Sequence, residues 1–274
     1  MVGEVVSRDG LAVRYEVVGA GAPPLVLVHG WSCDRTYWRH QTAHFSRQAT
    51  VVTVDLGGHG ESGTGRVAWT VRSFGDDVVA VLDALDLRDA VLVGHSLGGD
   101  VVAEAARQRP DRILGLVWVD TYRELAAATG SAAGDEADEE TALFVARFRA
   151  DFAGVTQEFV RGMFPPDADP ALVERVAADM ASAPPDIALD AMARSIVNEE
   201  AAVAAFHEAG VPLVAINPEY RPTDQASLAR HGIDCVLVPG VGHFLMLEDP
   251  ARFNRVLAEV VEGLQFRRDD PRTE

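Results

Sequence analysis

Much of the architecture can be inferred from one stretch, Ala90-Val91-Leu92-Val93-Gly94-His95-Ser96-Leu97-Gly98-Gly99-Asp100. Its aliphatic start is typical of a strand, and Val101 to Gln108 is typical of a helix. The Gly-x-Ser-x-Gly pattern between them predicts a tight turn with Ser96 at its apex. The two glycines of the pattern let neighbouring backbone pass close to this turn, so the serine hydroxyl is expected to stand clear above a sheet.

The same turn has an electrostatic consequence. It directs the backbone N–H of Leu97 and the positive end of the following helix towards an anion that forms beside Ser96. A Gly-x-Ser-x-Gly pattern alone is moderate evidence for such a site, but a strand before it and a helix after it make the pattern far more specific. Ser96 is therefore the candidate nucleophile, in preference to a serine of an ordinary strand–helix turn.

Length, composition and charge restrict the class of protein. The chain has 274 residues, of which 48% are hydrophobic, so it can form one large α/β domain with an insertion. Its formal net charge is −18, which argues against nucleic acid and anionic membrane surfaces as partners. All 24 basic residues are arginine. The missing lysine excludes Schiff-base chemistry, pyridoxal enzymes and the lysine of phosphate-binding loops.

Targeting and cysteine signals are weak. Met1 to Asp9 lacks the apolar region of a signal peptide, and no apolar run approaches the length of a membrane span. Cys33 and Cys235 lie far apart and lack metal-ligand spacing, so we expect two reduced thiols and a cytoplasmic location.

The hydrophobic pattern predicts strands that alternate with helices. Glu4 to Ser7 and Leu11 to Val18, joined by Arg8-Asp9-Gly10, indicate a hairpin. Continuous apolar runs then indicate strands buried on both faces of a parallel sheet, at 24–29, 49–55, 90–93, 113–120, 212–216 and 234–238.

The alternation lapses after Asp120 and resumes near Val211. Amphipathic helices are predicted in between, the first over Thr141 to Phe152, where Phe144, Phe148 and Phe152 would share a face. We therefore predict a doubly wound, mostly parallel sheet of about eight strands with a helical cap inserted after the sixth strand. The core would comprise residues 1–120 and 210–274, and the cap residues 121–209.

Three motifs together carry a family resemblance. His29-Gly30-Trp31 follows the third predicted strand, Gly94-His95-Ser96-Leu97-Gly98 follows the fifth, and Gly240-Val241-Gly242-His243-Phe244 follows the last. Over nearly its whole length the chain resembles an α/β-hydrolase. The resemblance implies Ser96 as nucleophile, His243 as general base, and the backbone N–H groups of Trp31 and Leu97 as the oxyanion hole.

More than one carboxylate in the sequence could orient the histidine. The commonest family pattern places an Asp shortly after the seventh strand, following a Gly, but this chain has Asn217 there. Asp224 lies late and suits a helix N-terminus, and Glu219 follows a proline. Asp120 ends the sixth strand beside the serine strand, a position from which some α/β-hydrolases take their acid. We expect Asp120, with Asp224 and Glu219 as alternatives.

Two patterns suggest cofactor or metal sites but lack the required context. Residues 58–63 match Gly-x-Gly-x-x-Gly, yet they do not directly join a strand to a helix. His207-Glu208 begins a zinc-type His-Glu-x-x-His motif, but Val211 replaces the second histidine. We expect neither a cofactor nor a metal, and we expect His29 and His59 to bond the backbone.

The resemblance implies a serine hydrolase acting on a small, largely apolar carboxylic ester, with aromatic residues of the cap able to contact the substrate. Within enzymes, the alternatives are a lactonase, a hydrolase of carbon–carbon bonds and a cofactor-free perhydrolase of the non-haem haloperoxidase type. A nucleophilic serine argues against dehalogenases and epoxide hydrolases, which use Asp. A ligand receptor that retains the triad is the alternative from another class. The sequence carries no signal for oligomeric state.

Overall fold

The computed structural model describes residues 1–125, 143, 145–195 and 199–269. Within them, eight strands form one sheet in the order β1-β2-β4-β3-β5-β6-β7-β8. The strands are β1 (Val2–Val6), β2 (Ala12–Val18), β3 (Leu25–Val28), β4 (Val51–Val54), β5 (Ala90–His95), β6 (Ile113–Val119), β7 (Leu213–Pro218) and β8 (Asp234–Val238). β2 runs antiparallel to β1 and β4, and the other pairs are parallel. The predicted α/β sheet and its N-terminal hairpin are confirmed.

Helices cover both faces of this sheet. They are α1 (Arg39–Phe45), α2 (Val71–Ala84), α3 (Leu97–Gln108), α4 (Phe152–Arg161), α5 (Pro170–Met180), α6 (Pro185–Ser195), α7 (Glu199–Ala209), α8 (Gln225–Arg230), α9 (Leu245–Glu248) and α10 (Pro250–Asp269). In the described part of the chain, no helix is both long and apolar enough to cross a membrane.

The four central strands of the sheet are shielded from water. Every residue of β3, β4, β5 and β6 is buried, as expected for parallel strands with helices on both faces. α3 packs on α2 and α7 and so covers the middle of the sheet next to the serine turn. Cys33 and Cys235 are free thiols, as the sequence predicted.

α4 to α7, together with a helical stretch at 145–150, occupy the chain between β6 and β7. This is the position predicted for the insertion. The predicted helix over 141–152 is interrupted at Asp151, whose carboxylate accepts a hydrogen bond from the Gly154 N–H and caps α4. Phe152 therefore begins the next helix. Phe144 and residues 126–142 lie outside the described residues.

Candidate active site

Ser96 occupies a strained turn between β5 and α3. Its φ of 53° and ψ of −122° lie outside the regions that L-residues prefer. A Cβ atom on Gly94 would lie 2.1 Å from the Gly98 carbonyl oxygen, and one on Gly98 would lie 2.5 Å from the Val28 carbonyl oxygen. Both glycines are therefore required where the turn passes neighbouring backbone, as the motif predicted.

The two residues predicted to form the oxyanion hole, Leu97 and Trp31, lie beside this serine. Leu97 is the first residue of α3, so its N–H has no partner within the helix. Gly30 approaches the turn so closely that an added Cβ would be 3.2 Å from the Ser96 Cβ, which brings Trp31 next to the serine. Trp31 and Leu97 line a cavity of about 270 Å³ together with Ser96 and His243.

His243 lies in the loop between β8 and α9, and four contacts fix this loop. Its Nδ1 is 2.6 Å from the Asp120 Oδ2, so the ring donates to the carboxylate when Nδ1 carries a proton. Its backbone N–H donates to the Met163 carbonyl at 3.0 Å, and its carbonyl accepts from the Nε2 of His95 at 2.9 Å. Burial lowers the pKa of His95 to about 3, so this ring stays neutral.

Glu248 provides the fourth contact from the first turn of α9. Its carboxylate accepts hydrogen bonds from the N–H groups of Gly242 at 2.8 Å and Phe244 at 3.1 Å, the two residues that flank His243. One side chain thus fixes the backbone on both sides of the candidate base. This role was not predicted from the sequence, in which the only available signal is a glutamate five residues after the histidine.

Asp120 directly follows β6 and adopts a positive φ of 45°, which turns its carboxylate out of the strand direction. Its Oδ2 accepts from both His243 and the Arg123 Nη2, each at 2.6 Å. Burial raises the pKa of this carboxyl, but the hydrogen bonds and positive charge of His243 and Arg123 outweigh burial and hold the pKa below its ordinary value. Asp120 is therefore a carboxylate at neutral pH.

The two alternative acids lie elsewhere. The Asp224 side chain accepts from the Ser227 N–H at 3.0 Å and caps α8, which is the helix start that the sequence suggested. Glu219 is exposed, and its backbone N–H pairs with the Val238 carbonyl. Asn217, which stands where the family usually has Gly, is buried and donates to the Tyr122 carbonyl at 2.8 Å. It joins the β7 loop to the segment after Asp120.

A second buried carboxyl group, Asp100, lines the smaller cavity in the first turn of α3. It accepts a hydrogen bond from the Tyr122 hydroxyl at 2.8 Å. Burial raises the pKa of Asp100 to about 7, more than the bond from Tyr122 lowers it. Asp100 was not among the residues predicted for the site, because an acid in a first helical turn is favoured for local reasons alone.

A larger cavity of about 520 Å³ adjoins the smaller one, and Ser96, Thr121, Tyr122, Phe159, Met163 and His243 line both. The inserted segment contributes part of both walls. Trp31 connects it to the sheet, since its indole N–H donates to the Ala188 carbonyl at 2.7 Å and its ring contacts Phe148, Phe152 and Phe159.

The loops that follow β3 and β4 have a structural role. The Nδ1 of His29 pairs with the Gly30 carbonyl, and the Nδ1 of His59 pairs with the Gly57 carbonyl, so both rings bond the backbone as expected. The Gly-rich segment 58–63 closes on itself through a bond from the Gly58 N–H to the Gly63 carbonyl, and no helix follows until Val71. Among the described residues, no three His, Cys, Asp or Glu side chains cluster as metal ligands would.

Comparison with known proteins agrees with this architecture. A family model for the alpha/beta hydrolase fold matches residues 23–172, which is more than half of the chain. The acetyltransferase component of the acetoin cleaving system of Cupriavidus necator is 34% identical over 40% of this chain, but the match spans only 30% of that protein. The 3-oxoadipate enol-lactonase 2 of Acinetobacter baylyi is 23% identical over 94% of this chain and 96% of its own length.

Among solved structures, a thermophilic esterase from Thermogutta terrifontis with malate bound superposes with a TM-score of 0.79. It is 24% identical, and the match covers 96% of this chain and 99% of the other, so it shows a shared fold. The chain belongs to the α/β hydrolase fold family, as its three motifs predicted.

Proposed function

We propose that the protein is a serine hydrolase that cleaves a small carboxylic ester through an acyl-enzyme intermediate. The observation that carries the proposal is the 2.6 Å contact between His243 Nδ1 and Asp120 Oδ2, on the wall of the cavity that also contains Ser96. These three residue types in this arrangement are those of a nucleophile, its base and the acid that orients the base.

In the proposed reaction, the Nε2 of His243 removes the proton of Ser96 as the serine Oγ attacks the ester carbonyl carbon. The carbonyl π electrons move to its oxygen. The N–H groups of Trp31 and Leu97 stabilise this oxyanion, to which each donor contributes about 3 kcal/mol in comparable sites. His243 then protonates the departing alkoxide as the carbon–oxygen bond breaks. Water, activated by the same histidine, releases the acid and restores Ser96.

Asp120 supports this cycle by its charge. A carboxylate at Nδ1 keeps the proton on that nitrogen, which leaves the Nε2 lone pair free to accept the serine proton. It also stabilises the imidazolium ion that forms next. The pKa of Asp120 lies below its ordinary value, so the residue is ionised at neutral pH.

We further propose that residues 121–209 act as a cap on a core of residues 1–120 and 210–274. Phe159 and Met163 line both cavities beside Ser96, and Trp31 anchors the inserted helices to the sheet. Such a cap would restrict the length and shape of the acyl or alcohol group.

A lactonase is the second candidate. A lactone is an internal ester, so the same attack by Ser96 would open its ring without releasing a separate alcohol. The observation in its favour is that an enol-lactonase aligns with almost the whole of this chain, although at 23% identity.

Active-site labelling tests the proposal. Incubation with a fluorophosphonate should phosphonylate wild-type protein on Ser96, as located by peptide mass spectrometry, and should abolish hydrolysis of p-nitrophenyl butyrate. Ser96→Ala should lose both labelling and hydrolysis while retaining the circular dichroism spectrum of the wild type. Labelling at a different serine, or hydrolysis retained in Ser96→Ala, would refute the proposed mechanism.

A further inference from the structure

The lining of the larger cavity carries more positive than negative side chains, although the chain as a whole is strongly acidic. Three arginines line this cavity together with Ser96: Arg123, Arg147 and Arg221. They come from separate segments: the loop after β6, the helical stretch at 145–150 and the loop between β7 and α8. The whole chain carries a formal charge of −18, so a cavity wall with more cations than anions departs from the surface around it.

Two of the three cations face carboxylates. Arg123 donates to Asp120 at 2.6 Å, and the Arg147 Nη2 lies 3.5 Å from the Glu158 carboxylate. The Arg147–Glu158 pair is largely exposed, so it holds neither side chain firmly.

Arg221 differs from both. Its Nη2 donates to the Gly162 carbonyl at 2.8 Å, which ties the β7 loop to the end of α4. Within the described part of the chain, no carboxylate lies at ion-pair distance from Arg221, so its positive charge is not neutralised. Glu158 and Asp120 are the only acids among the described residues that line the cavity, and both have arginine partners.

We propose that the larger cavity binds a carboxylate, and that the substrate is an ester or lactone bearing a free carboxylate away from the bond that is cleaved. The inference rests on the proposed serine hydrolase function. A guanidinium group presents a planar set of donors that matches a carboxylate, and a cavity focuses the field of its charges. Arg221 is the primary partner, and Arg147 can contribute by exchanging Glu158 for the substrate.

The position of the reacting bond agrees with this arrangement. Trp31 and Leu97, whose N–H groups would receive the oxyanion, line only the smaller cavity. The ester carbonyl would therefore lie where the two cavities meet, at Ser96. The apolar walls formed by Phe148, Val155 and Phe159 suit a hydrocarbon spacer that leads from there into the larger cavity. The inference adds a negatively charged group to the small, largely apolar ester expected from the sequence.

Paired substrates test the inference on both sides of the ester. Mono-p-nitrophenyl pimelate carries the carboxylate on its acyl part, and the methyl ester of its free acid is the neutral match. 4-Acetoxybenzoate carries the carboxylate on its leaving group, with methyl 4-acetoxybenzoate as the neutral match. The wild type should show a kcat/KM at least about tenfold higher for the anionic member of one pair. Raising the salt concentration from 50 mM to 500 mM should reduce that preference.

Arginine variants connect the preference to the cavity. Arg221→Gln should reduce the anionic-to-neutral ratio of kcat/KM about tenfold, mainly through KM for the anionic ester. Arg221→Lys should retain part of the ratio because it keeps the charge without the planar donors. Arg161→Gln is the control, since Arg161 pairs with Glu174 on the surface and does not line the cavity. Its ratio should equal that of the wild type.

The outcomes separate the two proposals. Hydrolysis that depends on Ser96 but shows no preference in either pair would overturn the carboxylate site and leave the serine hydrolase intact. A preference that survives in Arg221→Gln and in an Arg147→Gln/Arg221→Gln double variant would also overturn it. If no ester is hydrolysed and no fluorophosphonate labelling occurs, both proposals fail together.

Discussion

The Nδ1 of His243 lies 2.6 Å from the Oδ2 of Asp120, although the two residues are 123 positions apart in the chain. Asp120 follows β6 and His243 lies after β8. Because β6, β7 and β8 are consecutive parallel strands of the sheet, the segments after β6 and β8 lie at the same edge, where the contact forms. Each partner is fixed separately. The sheet holds Asp120 through the bond from its N–H to the Ile216 carbonyl, and Glu248, His95 and Met163 hold the histidine loop.

The serine turn should not tolerate a side chain at Gly94. In Gly94→Ala the new methyl group would lie 2.1 Å from the Gly98 carbonyl oxygen, so the backbone of the turn must move. We expect a loss of about 3 kcal/mol in the free energy of unfolding, measured by urea denaturation, and loss of fluorophosphonate labelling. Gly65→Ala is the control, because nothing lies within 4 Å of its added Cβ. Equal stability of the two variants would show that the turn is not as tightly packed as described.

Glu248 should act as a positioning residue for His243. Glu248→Ala removes the acceptor of the Gly242 and Phe244 N–H groups, which should lower the free energy of unfolding by about 1–3 kcal/mol. Because the histidine loop loses these two hydrogen bonds, the orientation of His243 should be less fixed, and kcat should fall while KM changes little. Glu248→Gln should restore part of the loss. Glu262→Ala, an exposed glutamate on α10, provides the charge-matched control. A change in stability without a change in kcat would mean that the hydrogen bonds of Glu248 do not orient His243.

Asp100 should make stability depend on pH. Burial raises its pKa to about 7 in the folded protein, whereas the unfolded chain ionises it near the ordinary value of 3.8. Between pH 3.8 and about pH 7 the folded protein therefore binds one proton more at Asp100 than the unfolded chain does. The free energy of unfolding falls as the pH rises through this range, and the contribution of the protonated Asp100 is lost as the pH passes 7. Asp100→Asn cannot ionise. The Tm of Asp100→Asn relative to that of the wild type should therefore rise between pH 5 and pH 8. The corresponding difference in the free energy of unfolding should be at most about 4 kcal/mol.

The control for this prediction is Asp111→Asn, which alters an exposed aspartate just after α3. Its Tm relative to the wild type should be the same at both pH values. A gain in Asp100→Asn that is likewise independent of pH would contradict the raised pKa and would leave Asp100 as an ionised group in the cavity wall.

Local patterns allowed much of the fold to be predicted. Buried parallel strands appear in the sequence as continuous apolar runs. The glycines around Ser96 are required by close backbone contacts, and the Gly-x-Ser-x-Gly pattern indicates them directly. Both features can therefore be predicted from short segments alone. The helix over 141–152 was misjudged because the periodic aromatic spacing continues through Asp151, while the capping bond of Asp151 to Gly154 ends one helix and begins another.

The supporting residues of the candidate site were beyond the sequence. Arg123, His95 and Glu248 act through contacts that exist only after the sheet edge assembles. Arg123 and Glu248 belong to no recognisable spacing, and His95 occupies a variable position of the serine motif, which does not indicate its contact with the His243 carbonyl. The charge of the larger cavity was equally hidden, since Arg123, Arg147 and Arg221 are spread over three segments of a strongly acidic chain. From the sequence, Asp120 could be proposed only by its position at a strand end, with Asp224 and Glu219 still open as alternatives.

The most direct test compares Asp120→Asn with Asp224→Asn in kcat for p-nitrophenyl butyrate, with Tm recorded for both. Asn at 120 keeps the shape but removes the charge that selects the histidine tautomer, so kcat should fall by about 10⁴-fold, as in the serine proteases. Asp224→Asn should stay within a few-fold of the wild type, because asparagine is an equally good helix N-cap. A severe loss in Asp224→Asn with near-normal turnover in Asp120→Asn would contradict the Ser96–His243–Asp120 triad.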